Sequence, residues 1–399
     1  MIGEDRRVAY PRVLFTCRPL AGHYEPLVPL AAAAKEAGHV VAFATGEPYD
    51  ERARRAGFKA FRVGPSEGFR DEWAPRFPGF ERLVGDEQRR FFFTEIFANL
   101  ELEPRAAGLE AVVDVWAPHL VVHEVAELAA PLVSVARGIP YVDVSYGRLI
   151  PRFLLRATGE AAAPHWRARG LDPHPVAGLF EHLYVDTCPP SLQNPEIASL
   201  PAVHALRPAA AEMITAAPPG WLERLGGRPI VYVTMGTVWN RDFDLFARVV
   251  DALRDEPVAL VITVGQQNDP DVLGPQPDNV VVRRYIPQAE LLPHCHAVVT
   301  HGGAGTTLGA LAHGLPLLVL PQGADQYANA DAIVAAGAGL RLGRDETTVP
   351  AIRDSVRSLL DDPDCRRAAE RVQAEIRAMP TAAHAITRIE MLLAPSSDP

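Results

Sequence analysis

The segment His301–Pro316, HGGAGTTLGALAHGLP, carries residue types that suit phosphate chemistry. The apolar run Ala297–Thr300 leads into it and predicts a strand. His301–Gly303 then turn the chain, and the pattern predicts a helix from about Ala304 to His313. Gly314 ends that helix and Pro316 prevents its continuation. Small residues at Gly303, Ala304 and Gly305 let a ligand approach the backbone, and the free N–H groups and dipole of a helix N-terminus favour an anion. Thr306 and Thr307 add hydroxyls in the first turn, and His301 adds an imidazole able to donate to an anionic oxygen. Two other readings fit the same letters. The glycines serve equally in a plain strand-to-helix turn that only packs tightly. A dinucleotide fingerprint would use Gly303 and Gly305, with Asp325 as the acid 20 residues beyond Gly305. However, Leu308 stands where the third glycine belongs and Asp325 falls past the next strand, so hydride transfer is disfavoured.

The elements around this turn must place it. Arg12–Cys17, a loop at Arg18–Glu25, a helix at Pro26–Ala37 and a second strand at His39–Ala44 read as a βαβ unit, hence a parallel sheet. Leu120–Val122, an Ala-rich helical stretch and Tyr141–Val144 read as another. The pattern restarts in the second half. Pro229–Thr234, Ala259–Val264, Val280–Arg283, Ala297–Thr300 and Pro316–Leu320 are short apolar runs suited to buried parallel strands. Leu206–Arg228, with its prolines and paired glycines, has the composition of an interdomain connection. The tail from Asp364 to Leu393 reads as helix broken at Pro380. Residues 66–108 and 145–200 read as irregular and rich in Pro, Phe and Trp. Within them Phe91, Phe92, Phe93 and Phe97 suit a core face, although such aromatic insertions at one end of a sheet can also wall a hydrophobic cavity.

Composition narrows the function classes. A chain of 399 residues implies two or three domains, with the apolar and charged balance of a globular protein. Its net charge of −10 argues against nonspecific nucleic-acid binding, so an anionic ligand must be held by local geometry. No apolar run is long enough to span a membrane, and the opening residues lack the apolar core of a secretory signal. Cys17, Cys188, Cys295 and Cys365 are too scattered for a zinc knuckle or a disulfide framework, which predicts reduced thiols in the cytoplasm.

Four stretches are more specific: PLAGHYEPLVPLAAAAKEAGH near the start, MGT at 235–237, YIPQ at 285–288, and THGGAGTTLGALAHGLPLLVLPQGADQYANA at 300–330. Together they resemble the inverting nucleotide-sugar glycosyltransferases of the GT-B fold, most of all the bacterial enzymes that glycosylate antibiotics and other natural products. The resemblance implies an α/β chain of two facing Rossmann-like, doubly wound domains. Residues 1–207 would bind the acceptor, 208–228 would link, 229–376 would bind the nucleotide-sugar donor, and 377–399 would form a helix returning to the first domain.

Carried over residue by residue, the resemblance makes His23 the general base on the acceptor hydroxyl, a role that suits an imidazole at neutral pH. The family supports that histidine with an acid, commonly aspartate, after a later strand. Here the place is held by Glu124, with His123 and Glu127 as rivals in the same stretch. On the donor side, His301, Gly303, Ala304, Gly305 and Thr306 resemble the diphosphate site, and Thr237 a phosphate or sugar contact. Tyr285 takes the place that stacks on the base, Ile286 one whose backbone reads it, and Gln288 completes that motif. Asp325 and Gln326 match the pair that hydrogen-bonds sugar hydroxyls. Many UDP-sugar members carry a glutamate where Gly309 stands, to hold the ribose hydroxyls. Its absence here predicts a dTDP-linked donor. No DxD cluster sits beside the phosphate turn, so the expectation is catalysis without a metal and without a cofactor beyond the sugar nucleotide. The implied reaction is transfer of a sugar to a hydrophobic aglycone. A nucleotide-sugar epimerase of the same fold and a non-catalytic nucleotide-binding auxiliary protein are the alternatives. Neither aglycone nor sugar is legible, and a homodimer stays open.

Overall fold

A computed structural model describes residues 10–212, 220–236 and 242–393. The chain divides into two compact units. The first runs to Cys188 and adds Asn194–Arg207 and the segment from Pro380; the second takes Pro189–Gln193 and Pro208–Met379. Each is a parallel sheet covered by helices.

The first sheet holds β1 (Arg12–Thr16), β2 (Val40–Thr45), β3 (Lys59–Arg62), β4 (Leu120–Glu124), β5 (Tyr141–Val144), β6 (Leu183–Asp186) and β7 (Val203–Ala205). Their order is β3-β2-β1-β4-β5-β6-β7, every pair parallel. Alternation along β1 explains why it sits centrally: Leu14 enters one apolar layer with Trp73, Phe93 and Leu102, while Val13 and Phe15 enter the other with Tyr24 and Leu30. The second sheet holds β8 (Ile230–Thr234), β9 (Ala259–Thr263), β10 (Val280–Arg283), β11 (Ala297–Thr300), β12 (Leu317–Val319) and β13 (Gly339–Arg341), in the order β10-β9-β8-β11-β12-β13. Strands β8, β9 and β11 are buried at every residue, as strands covered on both faces must be. In both sheets the order reverses beside the first strand of the unit, between β1 and β4 and between β8 and β11. The crevice at the carboxyl ends of such a pair is where doubly wound sheets bind ligands.

Three readings of the sequence need correction. The stretch Arg18–Glu25 is not all loop: Ala21–Tyr24 forms a single helical turn, continued by a 3-10 turn at Glu25–Leu27 and the helix Val28–Glu36. Residues 66–108 and 145–200 are not irregular either. They contain the helices Gly85–Phe91, Leu102–Trp116 and Arg152–Ala168, and between the first two a π-helix at Phe92–Glu101. Proline and aromatic residues hid these helices, because Pro164 lies inside one and consecutive phenylalanines blur the 3.6-residue period of another. Strands β3, β6, β7 and β13 also went unread, being three or four residues long.

The tail breaks where expected. The helix Pro363–Ala378 stops before Pro380, whose carbonyl accepts the Arg207 N–H at 2.8 Å, and the helix Ala382–Glu390 packs on Val28–Glu36. Ala385, Ile386 and Ile389 enter the same apolar layer as Val13 and Phe15.

Candidate active site

In the first unit, the crevice between β1 and β4 is where His23 and Glu124 meet. Glu124 ends β4, whereas His23 lies on the turn that follows β1. The turn is pinned by its neighbour: Tyr24 is buried, with its ring 5.3 Å from both Phe43 and Tyr49, so His23 is left on the opposite side. His23 Nδ1 stands 3.0 Å from Glu124 Oε1, with the histidine side chain 14% exposed and the glutamate fully enclosed. The contact has the distance of a hydrogen bond but not its alignment. Catalytic pairs commonly align only once substrate is bound. The Tyr146 ring lies 4.8 Å from the imidazole.

Backbone groups complete the carboxylate's shell. Its Oε1 accepts the Arg18 N–H at 3.2 Å and its Oε2 the Ala126 N–H at 2.6 Å. Burial by itself would raise this carboxyl. The nearby His23, the Ala126 N–H and the Arg18 charge outweigh it and hold the group at about 2. The rivals read from the sequence have other partners. Glu127 pairs with Arg105 and accepts the Ala129 N–H, while His123 turns toward Asp143 on β5, 3.3 Å away. The histidine's Nδ1 lies 3.0 Å from the Glu124 carbonyl, which can only accept, so the proton sits on Nδ1 and Nε2 faces Asp143 with a lone pair. Burial lowers this imidazole to about 4 and raises Asp143 to about 8, so both groups favour their neutral forms.

The second unit repeats the placement at its own reversal, between β8 and β11. His301 follows β11 and is nearly enclosed, its imidazole lowered by burial to about 4 despite a hydrogen bond to the Thr234 backbone. Two glycines make room for the ring. A Cβ on Gly236 would lie 2.5 Å from His301 Cε1, and one on Gly303 would lie 2.5 Å from Nε2. Gly303 then caps the helix Ala304–Ala312, whose first N–H groups lack a carbonyl partner within the helix. Gly305 is exposed there, and Thr306 Oγ1 accepts from Gln288 Nε2 at 3.0 Å, leaving its own hydrogen to donate.

The remaining candidates differ in how available they are. Tyr285 is 55% exposed and Ile286 is buried beneath it in sequence. Asp325 Oδ2 accepts from Asn329 Nδ2 at 2.9 Å, and the same amide donates to the Gly302 carbonyl, which ties the PQGADQ loop to the glycine turn. Gln326 is engaged differently from the sequence expectation. Its Oε1 accepts the Gln322 and Gly323 N–H groups at 2.8 and 3.0 Å, so its oxygen closes its own loop and only its amide is left for a sugar. Thr237 lies outside the described residues. Among the described residues no group of three or more His, Cys, Asp or Glu side chains is arranged to hold a metal, and no helix is long and apolar enough to cross a membrane. The sequence reading missed Arg18, Glu101, Tyr146 and Asn329. Only Asn329 carried a signal, lying in the motif stretch at 300–330.

Comparison with known proteins fits both units. Two domain models described as erythromycin biosynthesis protein CIII-like match, the N-terminal domain over residues 32–236 and the C-terminal domain over 247–392. An L-demethylnoviosyl transferase of Streptomyces niveus is 34% identical over 384 residues, covering 93% of this chain and 96% of that relative. Among solved structures, the glycosyltransferase SnogD of Streptomyces nogalater is 30% identical with a TM-score of 0.75, covering 96% of this chain and all of that one. The spinosyn rhamnosyltransferase SpnG, solved with thymidine diphosphate, is 26% identical with a TM-score of 0.77 in its aglycone complex and 0.76 in that one, covering 95% of this chain and all of its own. These relatives favour transfer over the epimerase and auxiliary readings. The chain has the GT-B fold and belongs to the erythromycin biosynthesis protein CIII-like family of natural-product glycosyltransferases.

Proposed function

We propose that the protein transfers a sugar from dTDP to an apolar natural-product aglycone with inversion, His23 being the general base. One observation carries this reading: an imidazole at a sheet's reversal point, 3.0 Å from an enclosed carboxylate that otherwise accepts from two main-chain N–H groups. Arg18 is matched by Glu101 and Arg105 by Glu127. His23 is therefore the side chain that pairs directly with Glu124, and the Arg18 charge, shared with Glu101, adds to the field around it. In the proposed step the acceptor oxygen forms a bond to the anomeric carbon as the bond to the diphosphate oxygen breaks. The acceptor proton passes to His23, and Glu124 steadies the imidazolium. The N–H groups at Ala304–Thr306, with His301 and the Thr306 hydroxyl, would take up the charge on the departing diphosphate. Asp325 and the amide of Gln326 would hold sugar hydroxyls, and Tyr285 and Ile286 the base.

The dTDP assignment rests on Gly309. A Cβ there would stand 3.3 Å from Gln288 Oε1, 3.3 Å from Leu292 Cδ1 and 3.4 Å from Ala210 Cβ, so any side chain at this position would need those neighbours to give by a few tenths of an ångström. The thymidine diphosphate bound to the spinosyn relative supports the same donor class. The four free, buried cysteines suit a cytoplasmic setting.

Calorimetry with dTDP and UDP in EDTA tests the donor: tighter dTDP binding is expected, and a UDP preference would overturn the Gly309 argument. Turnover tests the base. With His23→Ala, kcat should fall by at least about a hundredfold while dTDP affinity is kept; unchanged kcat would overturn the role of His23.

A further inference from the structure

Arg18 is engaged at both ends. Its main-chain N–H donates to Glu124 Oε1 at 3.2 Å, so the residue forms part of the carboxylate's shell. Its side chain leaves in another direction and is buried. Arg18 Nε donates to Glu101 Oε2 at 2.9 Å and Nη2 to Glu101 Oε1 at 2.6 Å, a two-point fork. The guanidinium carbon lies 3.8 Å from the centroid of the Phe97 ring.

Phe97 and Glu101 stand on one element, the π-helix Phe92–Glu101. Ten residues of π-helix are unusual, since such winding normally appears as a single turn and often at functional sites. The wider winding brings residues four and five apart onto one face: the Phe92 and Phe97 rings stack with centroids 6.2 Å apart, and Phe93 meets Phe97 at 5.0 Å. From there the aromatic layer continues. Phe92 touches Trp73, which in turn touches Phe77, Phe80 and Phe91. Phe77, Phe91 and Phe92 are only partly buried.

We infer that Arg18 is a positioning residue that registers this aromatic layer against the His23–Glu124 pair. Shifting the π-helix must either break a buried fork or move residue 18, and with it a donor to Glu124. The alternative, an ion pair that merely fills the core, would need no main-chain contact to the catalytic carboxylate. Arg105, Glu127 and the Cys17 thiol complete the charged and titratable surroundings of Arg18, and Arg105 Nη2 fixes the Cys17 carbonyl at 2.8 Å, one residue before it. This inference rests on the proposed role of His23, with the aromatic layer as wall of the acceptor site.

The test uses two variants of the full chain. Replacing both partners with apolar residues, Arg18→Met with Glu101→Leu, leaves no unpaired buried charge, so the fold should hold. Phe97→Leu keeps every charge and removes the ring under the guanidinium. The expected result is a split: kcat at saturating acceptor falls roughly ten- to a hundredfold, while donor KM and melting temperature stay near parental values. Parental kcat in either folded variant overturns the inference. His23→Ala, assayed alongside, separates the two questions, because full turnover in that variant would defeat the proposed function whatever the Arg18 variants do.

Discussion

At the scale of single residues, chemistry in this protein depends on what surrounds a side chain more than on its identity. His23 is one of thirteen histidines; what sets it apart is contact with an enclosed carboxylate that also accepts two backbone N–H groups. Because Glu124 is held at about 2, below its ordinary 4.5, the folded state keeps it ionised where the unfolded chain would protonate it. Its contribution is complete above about pH 4.5 and is lost as pH falls toward 2. Denaturation of the parent and Glu124→Gln should therefore show a stability gap on the order of 3 kcal/mol near neutrality, shrinking steadily below pH 4.5. A gap that does not change between pH 6 and pH 3 (roughly the accessible range) would contradict the assignment. The sequence located His23 through its GHxxP setting and narrowed its partner to three neighbours in one short stretch, His123, Glu124 and Glu127. Choosing among them required packing: Arg105 claims Glu127 and Asp143 claims His123, over 22 and 20 residues of sequence that no local pattern spans.

At the scale of elements, the parallel ladder decides which polar groups meet. Register places His123 opposite Asp143 on β4 and β5, and Asp143 Oδ2 also accepts the Phe180 N–H at 3.0 Å. A neutral carboxyl in that position accepts with one oxygen and donates with the other, a pattern an asparagine can copy. Since burial raises Asp143 to about 8 from 3.8, the parent loses stability as pH rises between those values, when the unfolded chain ionises and the folded one does not. Asp143→Asn should match the parent near pH 4 and gain on it up to about pH 8, read from denaturant midpoints. Equal midpoints across that range would show Asp143 to be ionised in the fold. The strands around this pair were legible from short apolar runs, and the glycine turn from its own composition. The π-helix was not, because three consecutive phenylalanines satisfy no single period, and its anchor Arg18 lies 83 residues away.

At the scale of the whole molecule, two units whose sheets share one strand order through six strands, the first adding β7, each carry a histidine at the reversal of their sheet, His23 after β1 and His301 after β11. The doubling was visible in the sequence as a restart of the strand pattern; the exact crossing points were not, since Pro189–Gln193 joins the second unit within a stretch otherwise belonging to the first. The first unit also needs the chain's last described helix. Ile386 is buried in its apolar layer, so Ile386→Ala should cost about 2–5 kcal/mol. Hydrogen exchange would show that loss in β1, β2 and β4 while β8, β9 and β11 keep their protection; uniform loss through both sheets would mean that the units do not unfold separately.

The route of the chain sets an order for its synthesis. The first unit emerges from the ribosome first, yet an apolar patch under Val28–Glu36 stays uncovered until Ala382–Glu390 arrives. At about 5–20 residues per second, the stretch from Arg207 to Pro380 takes roughly ten to thirty seconds to make. The second unit runs to Met379, so its own core closes only at the end of that wait, and the unit carrying His23 and Glu124 is completed directly afterwards by Ala382–Glu390.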